Sequence, residues 1–238
     1  MKKIVIPLII ITILSLTTIL LYKETETVNK DKENVSGGEQ MFLPEPRLYG
    51  NMSLEEAILK RRSVREYSEE PLRLEDLSQI LWAAQGITDP DRMFRSAPSA
   101  GATYPLEIYV VVKEVEGLKP GVYRYIPVNH SLQLIKEGDY SYQLYKACLN
   151  QRWVLEAKAN IVITSVYERT TSVYGERGIR YVHMEAGHAG QSIYLQSTAL
   201  GIGTVAIGAF YDEYVEEVVG CEPGERALYV FPLGYIKE

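Results

Sequence analysis

The stretch Lys60-Arg61-Arg62-Ser63-Val64-Arg65-Glu66-Tyr67 places four cations and a hydroxyl within six residues. Arginine matches phosphate oxygens with two parallel N–H donors, and a serine hydroxyl adds one more donor. Arg61, Ser63 and Arg65 recur at every second position, so an extended chain would place all three on one face. The stretch therefore predicts an anion site. The alternative is a solvated helix C-terminus, where cations complement the helix dipole.

Composition and charge narrow the possible classes of protein. The chain has 238 residues, of which 46% are hydrophobic and 24% charged. These values are typical of one globular domain with an appendage. The formal net charge of -6 argues against a general nucleic-acid binder, so no nucleic-acid partner is expected. Cys148 and Cys221 form no C-x-x-C pair, and their separation favours two ordinary buried thiols.

The N-terminus carries a long uncharged run from Ile4 to Tyr22. A helix of this length would span about 28 Å, close to the hydrocarbon thickness of a bilayer. We therefore predict a single-pass membrane anchor over residues 1–22, followed by a flexible tether over residues 23–48 that is rich in Glu, Lys, Asn and Gly. Lysines flank the run on both sides, so the side of the membrane on which the folded domain lies stays open.

Residues 49–238 form the predicted folded domain. Ser53 and Glu56 make a capping box, which predicts a helix over about 54–61 with Leu54, Ala57 and Ile58 facing inward. A second amphipathic helix starts near Leu74 and stops at Gly86. The loop over residues 96–105 consists mostly of small residues, which would let another group approach the backbone closely; an ordinary turn-rich connection is the alternative.

The remaining chain alternates strand and helix signals. Runs rich in Val, Ile and Tyr predict strands over 106–112, 121–126, 131–135, 160–167 and 227–235. Helices are expected over 140–150 and 178–200, which together indicate an α+β layer fold. The long helix carries a cluster of small residues that would allow close packing, either in the core or at a subunit interface: Ala186, Gly187, Ala189 and Gly190.

Two motifs resemble known binding signatures without their context. Residues 201–206 fit G-x-G-x-x-A, but they follow a helix instead of a strand, so Gly201 is better interpreted as a helix C-cap. His183 and His188 lie five residues apart and would point about 140° away from each other on a helix. No metal site is therefore predicted.

Four segments, taken together and in order, resemble the nitroreductase superfamily, most closely its SagB-type dehydrogenases. They are RRSVREY at 61–67, PSAGATYPLE at 98–107, GERGIRY at 175–181 and LGIGTVAIGAF at 200–210. The resemblance covers about residues 50–236 and excludes the predicted anchor. It implies an α+β nitroreductase-like fold with a central mixed, mainly antiparallel sheet flanked by helices. It also implies an intertwined homodimer that binds FMN between its two subunits.

The resemblance further implies which residues bind the cofactor. The flavin phosphate and ribityl chain would be held by Arg61, Ser63 and Arg65, with Arg62 adjacent. A loop from the partner subunit would lie against the isoalloxazine ring, formed by Pro98, Ser99, Ala100 and Gly101. The other side of the ring would be approached by Ala206, Ile207, Gly208 and Ala209. Many relatives add a cation after the last strand, where this chain offers only Lys237.

The expected activity is a ping-pong redox cycle in which a donor such as NADH or NADPH passes a hydride to flavin N5 and an acceptor then removes the electrons. The cofactor carries the chemistry, so the residues expected to shape the pocket are few: Tyr104, Glu176 and Arg180. The substrate, a small molecule or a peptide, and the direction of the reaction stay open. The alternatives are a membrane-tethered flavin-binding protein without turnover, and a flavin-degrading or dehalogenating enzyme of the same superfamily.

Overall fold

The computed structural model describes residues 40–237. Seven helices are α1 (Leu54–Lys60), α2 (Leu74–Gln85), α3 (Ser141–Ala147), α4 (Arg152–Glu156), α5 (Tyr167–Tyr174), α6 (Arg177–Ala199) and α7 (Asp212–Val219). Nine strands are β1 (Gln40–Phe42), β2 (Ile87–Asp89), β3 (Phe94–Arg95), β4 (Leu106–Val112), β5 (Gly121–Ile126), β6 (Ser131–Glu137), β7 (Ala159–Val166), β8 (Ile202–Gly203) and β9 (Glu225–Tyr235). Within the described residues, each helix and strand predicted from the sequence is found, with its ends shifted by at most a few residues.

A seven-stranded sheet forms the centre of the fold. Its strands lie in the order β1-β6-β5-β4-β7-β9-β8, and neighbouring strands pair antiparallel. Strands β4, β7 and β9 are the long central ones. The Val and Ile of β4 and β7 suit positions that are buried on both faces. The predicted α+β fold with a mainly antiparallel sheet is confirmed.

The sheet has a hydrophobic layer on each face. On one face, α2 and α6 pack against alternate residues of the central strands, with Leu77, Ile80, Ala186, Ala189 and Ile193 almost completely buried. On the other face, α3 and α7 cover the intervening residues, with Leu144, Val215 and Val219 buried. Side chains of a strand alternate between the two faces, so both layers follow from the same sequence runs.

The folded unit begins earlier than predicted. Strand β1 pairs with β6 through Met41 and Leu132, and Leu43 is 7% exposed, so residues 40–43 belong to the folded unit and not to a flexible tether. The first helix also differs from the prediction. Ala57 faces inward, but Leu54 and Ile58 are 61% and 56% exposed. The apolar face of α1 therefore has no cover within the described chain.

The predicted membrane localisation is corrected. No helix within residues 40–237 is both long enough and apolar enough to cross a bilayer. The predicted anchor over residues 1–22 and the tether up to residue 39 lie outside the described residues. The prediction of a single-pass membrane protein is therefore withdrawn.

Candidate active site

The basic stretch leaves α1 in an extended conformation and runs beside strand β8. Arg61 is the C-cap of α1, with φ -53° and ψ 124°, and its N–H donates to the Ala57 carbonyl. The chain is fixed again at Val64, directly after Ser63, because the Val64 N–H donates to the Thr204 carbonyl at 2.9 Å. A Cβ on Gly203 would lie 2.6 Å from a Val64 methyl, so glycine is needed for this close approach.

Two guanidinium groups of the stretch lie over aromatic rings. The Arg61 guanidinium is 5.0 Å from the centre of the Tyr194 ring, and that of Arg65 is 5.3 Å from the Trp153 ring. Neither guanidinium has a hydrogen bond or an acidic partner within residues 40–237. Their N–H donors are therefore available to an anion, while the rings hold the groups in place. Arg62 differs, since it donates to the Leu59 and Arg61 carbonyls.

Tyr194 on α6 connects the basic stretch to the segment over residues 206–209. Its hydroxyl accepts a hydrogen bond from the Ala206 N–H at 2.7 Å and lies 3.0 Å from the Ser63 hydroxyl. The structure thus brings together the two segments that the sequence resemblance assigned to the phosphate and to the ring. Tyr194 was not among the predicted site residues, because a tyrosine in a mostly amphipathic helix carries no distinctive local signal.

The segment over residues 206–209 presents backbone to the surface. Ile207 is held in the sheet by two hydrogen bonds with Val230, and Gly208 and Ala209 beyond it are exposed. The Ala209 carbonyl accepts from the Gln151 amide at 2.9 Å. A Cβ on Gly208 would lie 3.8 Å from the Tyr229 ring, an ordinary contact, so the absence of a side chain here leaves the backbone accessible to a ligand.

One face of α6 next to this segment carries two glycines between a histidine and a tyrosine. His183, Gly187, Gly190 and Tyr194 lie on it, and we call it the glycine face. A Cβ on Gly187 would meet nothing within 4 Å, whereas one on Gly190 would lie 2.9 Å from the Phe231 ring. Gly190 is therefore required for packing on β9, as the small-residue cluster suggested. Gly187 leaves an open surface.

The small-residue loop lies elsewhere on α6. Ser99 accepts a hydrogen bond from the Tyr104 N–H at 2.9 Å, and Thr103 is hydrogen-bonded to Thr170 on α5 at 2.8 Å. The loop also faces Glu185 through Ser99. Glu185 and Tyr194 are nine residues apart on α6, which corresponds to about 13.5 Å along the helix. One chain therefore does not bring Pro98, Ser99, Ala100 and Gly101 next to the basic stretch.

Gly101 in this loop has a backbone that disfavours any side chain. Its φ is +59°, and a Cβ would lie 2.6 Å from the Tyr174 hydroxyl. In the Gly101→Val variant, backbone strain in this loop is expected to cost about 1–2 kcal/mol, because a branched side chain is disfavoured at a positive φ. The loop should shift and bound flavin should fall, while circular dichroism stays unchanged. A variant with the flavin content of the wild-type protein would contradict a role for this loop at the site.

The predicted pocket residues occupy different environments. Tyr104 contacts Arg95: its hydroxyl accepts from the Arg95 backbone N–H, and the Arg95 guanidinium lies 4.6 Å from its ring centre. Glu176 is the N-cap of α6, and Arg180 lies one turn further. Both are exposed, and neither side chain has a polar partner in the described chain. Lys237 is exposed as well.

A buried carboxyl group lies beneath the small-residue loop. Glu185 is 3% exposed, and its Oε1 has no hydrogen-bond partner in the described part of the chain. Burial raises its pKa to about 7, although the Ser99 hydroxyl and the Arg95 guanidinium favour the charged form. Glu185 is therefore a group whose charge changes near neutral pH. The sequence analysis missed it, because a single glutamate in a helix normally faces solvent.

Comparison with known proteins identifies relatives over most of the chain. The profile described as Nitroreductase family matches residues 58–235. A Methanocaldococcus jannaschii protein that carries the name "Putative nitroreductase" is 50% identical over 183 residues, which are 77% of this chain and 91% of that protein. A Ralstonia eutropha crystal structure with the same description has a TM-score of 0.73 at 27% identity and covers 84% of this chain and 90% of its own.

The microcin B17-processing protein of Escherichia coli is 24% identical over 157 residues, which are 63% of this chain and 57% of that protein. The chain therefore spans little more than half the length of this relative.

Proposed function

The chain belongs to the nitroreductase family, whose members are flavin-dependent oxidoreductases, and on this premise we propose that it is an FMN-dependent enzyme supplied with electrons by NADH or NADPH. The family predicted from the four sequence segments is thus confirmed. The choice of FMN, the electron donor and the roles of individual residues are proposals.

The arrangement of Arg61, Ser63 and Arg65 carries this proposal. Two guanidinium groups without acidic partners and one exposed hydroxyl lie within five residues, and aromatic rings hold both guanidiniums. A terminal phosphate dianion fits this donor set, since it needs several N–H and O–H donors and net positive charge. Arg61, Ser63 and Arg65 would hold the phosphate and the ribityl chain. Arg62 would contribute mainly charge, because its Nη1 already donates to two carbonyls at the end of α1.

The residues next to Tyr194 fit a flat ring system. Gly208 and Ala209 expose backbone, and Tyr194 fixes the start of this segment through the Ala206 N–H. We propose that the amides near Gly208 and Ala209 bind the polar edge of the flavin. When bound, the flavin would take up a hydride at N5 and pass it to the acceptor. The protein would orient the ring, limit access of water and supply protons.

We also propose the intertwined homodimer. The small-residue loop and the basic stretch are separated within one chain, so a complete site needs the loop of a second chain. The exposed apolar face of α1 supports this, with Leu54, Ile58 and Leu59 more than half exposed. Exposed apolar patches of this kind typically mark subunit interfaces. Ile179 and Met184 on α6, 45% and 46% exposed, extend the apolar surface to the helix that carries the site.

The reaction we favour is the reduction of a small conjugated acceptor by the reduced flavin. The second candidate is SagB-type oxidation of a peptide, which is favoured by the similarity to the microcin B17-processing protein. The two reactions run the flavin in opposite directions. In the second reaction, the flavin would oxidise an azoline ring of the peptide. Bleaching of the flavin absorbance by NADPH would support the first reaction, and bleaching by an azoline-containing peptide would support the second.

The absorbance spectrum of the purified protein tests the proposed cofactor. We expect a yellow protein that releases FMN on heating, about one per subunit, identified by mass. Added NADH or NADPH should bleach the flavin absorbance in the absence of oxygen. A colourless protein that also fails to take up added FMN would refute the proposed function.

A further inference from the structure

A hydrogen-bonded tyrosine and histidine lie at the end of the glycine face opposite Tyr194. The Tyr167 hydroxyl is 2.6 Å from His183 Nε2, and the two rings meet edge to face with their centres 5.6 Å apart. Tyr167 is the first residue of α5 and is half-buried, while the His183 side chain is exposed. A short bond between a phenol and an accessible imidazole is suited to passing a proton to or from solvent.

The position of the pair relates it to the proposed flavin site. His183 and Tyr194 are eleven residues apart, which is close to three full turns, so they lie on the same side of α6 and about 16.5 Å apart along its axis. Between them, Gly187 leaves the surface open. Gly190, the next residue on this side, packs against Phe231. The cations next to Tyr194 and the Tyr167–His183 pair therefore lie on the same side of α6, about three turns apart.

A second segment approaches the pair from the other side. Asp212 begins α7 directly after the 206–211 segment, and its carboxylate is close enough to act on the Tyr167 hydroxyl. The pKa of Tyr167 is raised, first by burial and then by the negative charge of Asp212, while the Ser165 hydroxyl acts in the opposite direction. The phenol is therefore protonated at neutral pH, the form in which it can donate.

We propose that Tyr167 is a catalytic proton donor and that His183 is its proton relay, an inference that rests on the proposed function. In a two-electron reduction, the acceptor takes a hydride at one atom and a proton at a second atom of the same conjugated system. The Tyr167 O–H bond breaks to supply that proton, and the phenolate oxygen then takes a proton through His183 from solvent. The electron pair comes from NADH or NADPH, and the acceptor is of the quinone class.

The test compares two acceptors that differ in their need for a proton. 1,4-Benzoquinone takes up protons on reduction, whereas ferricyanide takes one electron at a time and no proton. With the flavin first reduced by NADPH, the Tyr167→Phe variant should be reoxidised by benzoquinone roughly 100-fold more slowly than the wild-type protein, the usual size of a general-acid contribution. Its reoxidation by ferricyanide and its flavin content should not change. Equal benzoquinone rates in the two proteins would overturn the proposal.

Control measurements distinguish a failure of the proton-donor proposal from a failure of the proposed function. Tyr142→Phe removes an exposed hydroxyl on α3 and should leave every rate unchanged. His183→Gln should slow the benzoquinone reaction, and the double variant should be no slower than Tyr167→Phe, because residues that act as a unit are not additive. A wild-type protein that binds no flavin, or whose flavin is not reduced by NADPH, would refute the proposed function instead.

A measurement on the flavin-free protein tests the pair itself. The ¹⁵N resonance of His183 Nε2 should move in Tyr167→Phe and stay unchanged in Tyr142→Phe, because only the first variant loses the hydrogen bond. An unchanged resonance in both variants would show that the bond is not formed in solution and would overturn the relay.

Discussion

Purified protein that carries both Arg61→Ala and Arg65→Ala is expected to be colourless. Each charge-assisted hydrogen bond to a phosphate contributes about 1.5–3 kcal/mol, so losing both should weaken FMN binding by roughly 10²- to 10⁴-fold. Neither guanidinium has an acidic partner in the described chain, so no carboxylate is left unpaired by the change. The protein should therefore stay folded.

The measurement is FMN affinity by fluorescence titration, with circular dichroism as the check on folding. Arg92→Ala combined with Lys119→Ala removes the same net charge at two exposed positions and should leave the affinity nearly unchanged. If the control pair weakens FMN binding as much as the Arg61 and Arg65 pair does, the loss of affinity comes from the change in net charge and not from contacts with the phosphate. The proposed phosphate site would then be wrong.

The central strands were predictable because their signal is local. The runs over 106–112, 121–126 and 160–167 are dense in Val, Ile and Tyr, and each lies within one residue of an observed strand. Strands β1, β2, β3 and β8 were missed, since strands of two or three residues are defined by their partners and not by their own sequence. Helices α4, α5 and α7 were missed because they are only five, eight and eight residues long, so none offers much more than two turns of periodic signal.

The basic stretch was predictable for the same reason as the strands. Its cations and hydroxyl lie within one short segment, so their chemistry can be recognised without the fold. Tyr194 was not predictable, since its role depends on contacts with Ser63 and Ala206, one of which is 131 residues away in sequence. The Tyr167–His183 pair likewise depends on how α5 folds back onto α6.

The wrong prediction that Leu54 and Ile58 of α1 face inward has a related cause. The capping box correctly predicted the start of the helix, and the Ser53 side chain accepts from the Glu56 N–H at 3.1 Å. The prediction that Leu54 and Ile58 face inward assumed that apolar residues pack in the core of their own chain. Both are exposed, so the apolar pattern indicates an interface as readily as a core.

The stability of the protein is expected to fall as the pH rises from about 5 to 8, because of Glu185. Its pKa is raised from 4.5 to about 7 in the folded protein. Between these values the folded state holds a proton that the unfolded state has lost, so raising the pH favours unfolding. The contribution of Glu185 to the free energy of unfolding is fully present below pH 4.5 and is lost as the pH rises through about 7. The loss amounts to about 3 kcal/mol.

Glu185→Gln tests this directly, because glutamine keeps the shape of a protonated carboxyl group and cannot ionise. The variant should be more stable than the wild-type protein at pH 8, while the difference should be small at pH 5. Urea unfolding at both pH values measures the two free energies. Glu213→Gln, an exposed change on α7, should leave the pH dependence of the wild-type protein intact.

The same comparison shows whether Glu185 acts on the small-residue loop. Ser99 faces the Glu185 carboxyl group and also accepts the Tyr104 N–H, so ionisation of Glu185 should change how firmly the loop is held. The ionised carboxylate is the stronger acceptor of the Ser99 hydroxyl. Amide hydrogen exchange in residues 98–104 should therefore become slower in the wild-type protein between pH 5 and 8, after correction for the intrinsic rate, and should not do so in Glu185→Gln. Equal exchange in both proteins would show that ionisation of Glu185 changes the stability of the whole protein and not the local stability of the loop.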